Sequence, residues 1–100
     1  DAGYVRDYEI VGMVKSYDPE TKTATVLQKN RVFEGEEVEV LRPDVPYFKI
    51  KLEDMYDIDK DRKTDVANRA HMMFTVKVDT SLKVNDMFVK ANNVININNN

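Results

Sequence analysis

The 100-residue chain has no cysteine and no tryptophan, a single histidine, three glycines and three prolines. Without a thiol there can be no disulfide framework, no thiolate nucleophile and no cysteine-held zinc or iron–sulfur site, a composition that fits a cytoplasmic setting. The lone imidazole, His71, cannot by itself assemble a typical catalytic zinc centre. Gly3, Gly12 and Gly35 stand apart from one another, so no glycine-rich loop is available to cradle a phosphate. Apolar runs such as Met72-Met73-Phe74 fall far short of the roughly 20 residues that span a bilayer, and no membrane partner is expected. An excess of positive charge is missing too: 15 Lys and Arg stand against 18 Asp and Glu, a net charge of −3. That balance argues against a domain whose main work is non-specific nucleic-acid binding, while leaving room for a local basic patch.

What is present is a series of short β-patterned segments. Residues 8–17 are rich in β-branched and aromatic types and stop at Asp18-Pro19-Glu20-Thr21-Lys22. Proline presets the second position of a turn and aspartate bonds the backbone beyond it, so the chain is expected to reverse into a second strand over 23–28. The polar segment 29–36 reads as a structured loop with Phe33 as its apolar anchor. Glu37-Val38-Glu39-Val40-Leu41 alternates acid and aliphatic, the period-2 pattern of a strand with one wet face. After Arg42-Pro43-Asp44-Val45-Pro46 the alternation resumes, placing Phe48, Ile50 and Leu52 inward with Lys49 and Lys51 outward. Residues 57–69 are dominated by charge and read as an exposed connection with at most one helical turn. Met72, Phe74, Val76 and Val78 share the face of a further strand, and a turn at Asn85-Asp86 leads into a short closing strand ending at Lys90. Six or so short strands without an amphipathic helix point to an all-β fold, best satisfied by a small closed barrel, because closure removes exposed sheet edges. The expected layout is an N-terminal extension over 1–7, the barrel over 8–90 and an asparagine-rich tail over 91–100. The chain opens at Asp1 without an initiator methionine or a leader, which reads as a piece of a longer polypeptide.

No residue pattern assembles a reaction centre. Ser16 and Ser81 lack the glycines of a nucleophile elbow, and His71, preceding a strand, reads as a packing or capping residue. The run Asp57-Ile58-Asp59-Lys60-Asp61 invites a calcium-loop reading, but the sixth position is Arg62 where a glycine is needed and the twelfth is Asn68 where a glutamate is needed. Gly12, inside a strand, reads as a bulge or barrel corner. The residues best suited to meet RNA phosphates or an acidic protein surface are Lys29, Asn30 and Arg31 in the loop, with the outward Lys49 and Lys51.

The order of several of these pieces resembles the C-terminal domain of the peptidase U32 (collagenase-like) family. The matching residues are Val11-Gly12-Met13-Val14, Gln28-Lys29-Asn30, Phe33, Gly35-Glu36, Val38-Glu39-Val40, residues 52–57 and Ala70-His71 before the Met72 strand. One departure is Asn85-Asp86, where the family pattern has Gly-Asp; asparagine tolerates the left-handed region, so the turn can be kept. The resemblance implies a barrel of about six strands, similar to the second domain of elongation factor Tu, attached to a catalytic domain that lies outside this chain. It implies no catalytic residue, metal ligand or cofactor in the chain itself. Family members are described as collagenase-like peptidases, whereas several relatives look like iron–sulfur proteins that hydroxylate transfer or ribosomal RNA, so any iron–sulfur cluster is expected in the catalytic domain. Three roles follow: an accessory barrel docking on the catalytic domain of the same polypeptide and helping present an RNA or protein substrate, an independent RNA-binding module, or a structural or dimerising domain.

Overall fold

The structure, a computed structural model, describes the backbone of residues 4–95 and the side chains of residues 7–91. It contains ten strands: β1 (Tyr4–Asp18), β2 (Thr23–Gln28), β3 (Val32–Phe33), β4 (Glu37–Leu41), β5 (Phe48–Lys51), β6 (Glu53–Asp57), β7 (Arg62–Lys63), β8 (Val66–Ala67), β9 (Met73–Lys77) and β10 (Met87–Ile95). Eight form one antiparallel sheet in the order β5-β4-β10-β1-β2-β9-β6-β7, and β3 pairs with β8 separately. The all-β expectation holds, and no helix occurs among the described residues.

The sheet is a curled half-barrel where the sequence predicts a closed ring of about six strands. Its hydrogen-bonded ladder ends at β5 and β7, yet β5 and β6 are two halves of one extended segment divided at Leu52. Since β5 pairs with β4 and β6 pairs with β9, the curl is joined through the chain itself at that residue. Leu52 is fully buried; its N–H donates to the Glu36 carbonyl at 3.0 Å and its carbonyl accepts from Gly35 N–H at 2.7 Å. Gly35 has φ +93°, a left-handed conformation that disfavours any residue with a Cβ.

Two irregularities bend the long β1. Its register against β10 slips between Ile10 and Gly12, leaving Val11 as the extra residue, and its register against β2 slips between Val14 and Ser16. A bulge increases local twist and turns a strand, so β1 leaves β10 and joins β2. The unpaired Val11 carbonyl accepts from Lys29 N–H at 2.9 Å, which satisfies a buried acceptor. Gly12 is required here for space: a Cβ would lie 2.6 Å from Val26 Cγ1 and 3.3 Å from the Leu27 carbonyl. The glycine reading from the sequence is thus met by a bulge and a close approach together.

Turn chemistry follows the sequence. Asp18 Oδ1 accepts from Glu20 N–H at 2.9 Å, and Asn85 adopts φ +78° before β10. The inward faces of β2 and β9 bury Ala24, Val26, Phe74 and Val76, and Phe88 from β10 joins them without solvent exposure above 1%. Tyr17 closes the core with its ring, while its hydroxyl donates to the Val78 carbonyl at 2.7 Å. The β1–β10 ladder runs from Tyr4↔Ile95 to Met13↔Met87, past positions 8 and 90 on both sides; of the asparagine-rich tail, 96–100 lie outside the described residues.

Segment 57–69 departs most from its sequence reading. No helical turn forms; β7 and β8 occupy part of it, and Asp57 is buried. Two-residue strands have no periodicity to read, and the burial of Asp57 depends on a partner twelve residues away.

Candidate functional site

Two surfaces gather cations. On the first, Lys49 and Lys51 of β5 line a shallow hollow of about 250 Å³ together with Lys77 of β9, Glu53 and Asp79. Both lysines are outward and exposed, as alternation predicts, but across the ladder Lys51 faces Glu37 and Lys49 faces Glu39. Opposite charges directly across an antiparallel pair attract, which reduces the positive potential that a phosphate would meet. Glu39 itself is 7% exposed and one of its carboxylate oxygens has no hydrogen-bond partner, whereas simple alternation puts it on a wet face. Its neighbour across the next ladder, Val89, is also buried on that outer side.

The second surface surrounds β3. The β2–β3 loop holds Lys29, Asn30 and Arg31, all exposed. Asn30 is committed to the fold, since its side-chain amide donates to the Ile10 carbonyl at 2.7 Å, beside the β1 bulge. Arg31 turns its guanidinium over the Phe33 ring, 5.7 Å from the centroid. Phe33 is not the buried anchor that the sequence suggests. Val32 fills that place at 0% exposure, and Phe33, the next residue on a strand, points to solvent at 46%. Period-2 geometry forces the choice, because only one of two consecutive strand residues can face the core.

The backbone under Phe33 is firmly held. Phe33 N–H donates to Glu36 Oε1 at 2.8 Å, Glu34 N–H donates to the Asp65 carbonyl at 2.8 Å, and Met55 N–H donates to Glu34 Oε2 at 3.0 Å. Lys90 Nζ reaches the Glu36 carboxylate at 3.4 Å. Next to β3, in register with Phe33, lies Val66, which lines an open hollow of about 620 Å³ with Arg62, Lys63, Thr64, Asp65 and Glu34. The sequence reading missed Arg62, Lys63 and Lys77 as members of these surfaces. Only the pairing of β8 with β3 and of β9 with β6 brings them there.

The acidic run 57–61 is engaged in protein contacts. Asp57 accepts two hydrogen bonds from Arg69 at 2.9 Å each, Arg69 also reaches Asp59 at 3.4 Å, and Tyr56 donates its hydroxyl to Asp61. Among the described residues no group of three or more His, Cys, Asp or Glu is arranged to hold a metal ion. His71 neither packs nor caps: it is exposed, with φ +61° at the turn into β9. With no thiolate in the chain and its one imidazole on the surface, the residues do not fit an iron–sulfur cluster.

The Arg69 hydrogen bonds, opposed by burial and assisted by the Lys60 N–H, hold the Asp57 carboxyl at about 2, below its ordinary 3.8. A carboxyl whose pKa is lower folded than unfolded stabilises the fold fully above its unfolded value and loses that contribution as pH falls toward the folded value. Wild-type stability is therefore expected to drop between about pH 4 and pH 2. In Arg69→Ala the drop across that window should be smaller, because Asp57 no longer has its cation to lose. Urea midpoints at several pH values check this; parallel curves for the two proteins would refute it.

Among known protein families, the model of the peptidase family U32 C-terminal domain matches residues 6–88, most of the described chain. The chain belongs to that family. A crystal structure of the C-terminal domain of a Geobacillus thermoleovorans protein assigned to the U32 peptidases, in a selenomethionine variant, superposes with a TM-score of 0.75 at 35% identity, covering 82% of this chain and 99% of that one. A second crystal structure of that domain gives a TM-score of 0.74 at 33% identity, covering 84% and 92%. Among curated proteins, the Bacillus subtilis (strain 168) "tRNA hydroxylation protein P1" is 30% identical over 84 residues, 84% of this chain. The match spans only 20% of that relative, so this U32 domain corresponds to about a fifth of it.

Proposed function

We propose that this domain is a non-catalytic accessory barrel of a U32-type enzyme that acts on RNA, docking on the catalytic domain of the same polypeptide and helping present a structured RNA such as a transfer RNA. The observation that carries this reading is the 30% identity, over most of the chain, to a protein named for tRNA hydroxylation. Physical features support the non-catalytic part. The one histidine is exposed, Asp57, Asp59 and Asp61 are engaged with Arg69 and Tyr56, and among the described residues no group of three or more His, Cys, Asp or Glu is arranged to hold a metal ion. An iron–sulfur cluster, where the parent enzyme uses one, belongs outside this cysteine-free chain.

With a net charge of −3, binding has to come from a local surface and should be modest, with Kd between about 1 and 100 µM. Titrating fluorescently labelled transfer RNA with the 100-residue chain tests it. For about three phosphate contacts, affinity should fall roughly 10–50-fold between about 50 and 200 mM salt. Absence of binding at the lower salt overturns the RNA reading, and hydrolysis of gelatin by the chain alone overturns the non-catalytic one.

A further inference from the structure

We infer that the surface around Phe33 takes an unstacked nucleotide of the RNA, with the Phe33 ring as stacking platform and Arg31, Arg62 and Lys63 as phosphate contacts. The inference rests on the RNA reading above and adds the place and the mode of contact. Four observations carry it. First, Phe33 is an aromatic ring 46% exposed on a strand rather than on a free loop. Its own N–H is fixed by Glu36 and that of the next residue by the Asp65 carbonyl, so little ordering entropy remains to be lost on binding. Second, the Arg31 guanidinium already lies over the ring at 5.7 Å. The face is therefore open to a planar group; a base stacking there displaces the guanidinium, which then turns to the adjoining phosphate.

Third, Val66 stands opposite Phe33 in register and continues the apolar strip into the hollow lined by Arg62 and Lys63. Fourth, these cations are free to turn to phosphate. Lys63 holds only an exposed contact to Asp54 at 3.6 Å, which contributes little in water. The acids nearby are accounted for as well. Glu36 is shared by Phe33 N–H and Lys90, while Glu34, held by the Met55 N–H but still charged, and Asp65 are rim carboxylates that limit affinity. On the other surface, Lys49 and Lys51 face acids across the ladder and have no exposed ring among the residues lining their hollow.

A phenylalanine face offers stacking without hydrogen-bonding groups, so recognition should be tolerant of base identity and should favour single-stranded over duplex RNA. Fluorescence anisotropy with labelled transfer RNA and with single-stranded oligouridylate separates the outcomes. Phe33→Ala should weaken both about 5- to 160-fold, the range for loss of one base–aromatic stack, while Phe33→Trp should bind like wild type. Arg31→Glu should weaken binding comparably, and the double variant Arg62→Ala with Lys63→Ala should lower the salt slope by about 1.4 for single-stranded RNA. A Lys49→Ala, Lys51→Ala protein serves as control and should stay within about twofold of wild type. Since Phe33 and Arg31 are exposed, these variants should retain the wild-type melting curve, and Arg31→Glu remains informative even where Phe33→Ala does not fold. Wild-type binding that survives both Phe33→Ala and Arg31→Glu within twofold overturns the Phe33 surface and leaves the RNA reading intact. Failure of the wild-type chain to bind removes the RNA reading itself.

Discussion

Phe88→Ala is expected to lower the unfolding free energy by about 3–5 kcal/mol, the usual cost of deleting a fully buried aromatic ring. Phe88 lies where β10 meets two neighbours at once, in register with Gly12 of β1 and Val40 of β4. It has no solvent exposure, and its ring sits 4.0 Å from where a Gly12 Cβ would be. The residue faces glycine on one side, so the cavity left by truncation has no adjacent side chain at Gly12 to fill it. A domain of this size holds only about 5–15 kcal/mol in total, so the variant should be close to half unfolded in mild denaturant. Urea unfolding reads the effect directly. Phe48→Ala on β5, where the ring is only partly buried, should cost clearly less. Equal losses for the two would mean that the core is not centred on the β10–β1 seam.

Arg42→Ala should cost about 2–4 kcal/mol, somewhat below the 3–5 typical when a fully buried ion pair loses one partner, because Arg42 keeps 19% of its side chain in water. Arg42 directly follows the last residue of β4, and Asp86 closes the turn before β10. Arg42 Nε and Nη2 both donate to the Asp86 carboxylate, at 2.9 and 2.7 Å, and Lys83 N–H donates to it at 2.8 Å. Burial pushes the Asp86 carboxyl up, but the Arg42 and Lys83 bonds and their charges outweigh it and hold the carboxyl below its ordinary value. Removing the cation leaves a carboxylate with 2% exposure and one remaining donor, a state that should be relieved by protonation. The variant should accordingly lose most stability at neutral pH and recover part of the loss toward about pH 4, opposite in sense to the acid loss of the wild type. A pH-independent loss would show that Arg42 acts through its packing over the Phe48 ring, at 5.7 Å, rather than through charge.

The two variants report on different kinds of legibility. Phe74 and Val76 sit in an alternating segment that assigns them to one face, whereas Phe88 stands in the apolar run Met87-Phe88-Val89, where alternation leaves the inward residue open. The Arg42–Asp86 pair joins positions 44 apart, and nothing in either neighbourhood points to the other. The same division separates the candidate surfaces. Lys49 and Lys51 are readable as outward because they alternate with Ile50 and Leu52, but their opposing Glu39 and Glu37 become visible only from the register of β4 against β5. Phe33 carries the opposite lesson: hydrophobicity suggests an anchor, while the two-residue strand β3 turns Val32 in and Phe33 out. Asp57 looks like one more solvated acid in a charged run, and is buried because Arg69 closes over it.

By itself, the sequence determined the strand class of most segments, the turns at Asp18-Pro19 and Asn85-Asp86, the exclusion of thiol chemistry and the U32 likeness. These are properties of neighbouring residues, fixed by φ/ψ preference, period-2 alternation and residue type. Tertiary structure alone decided that the sheet is joined through Leu52, that β1 bends at Val11, that Asp57 and Asp86 are buried against arginines, and that Phe33 pairs with Val66 beside the hollow lined by Arg62 and Lys63. Each of these depends on strand register between distant parts of the chain. A one-residue slip in register inverts every side chain on a strand, and no local pattern encodes which of two facing registers the completed core will select.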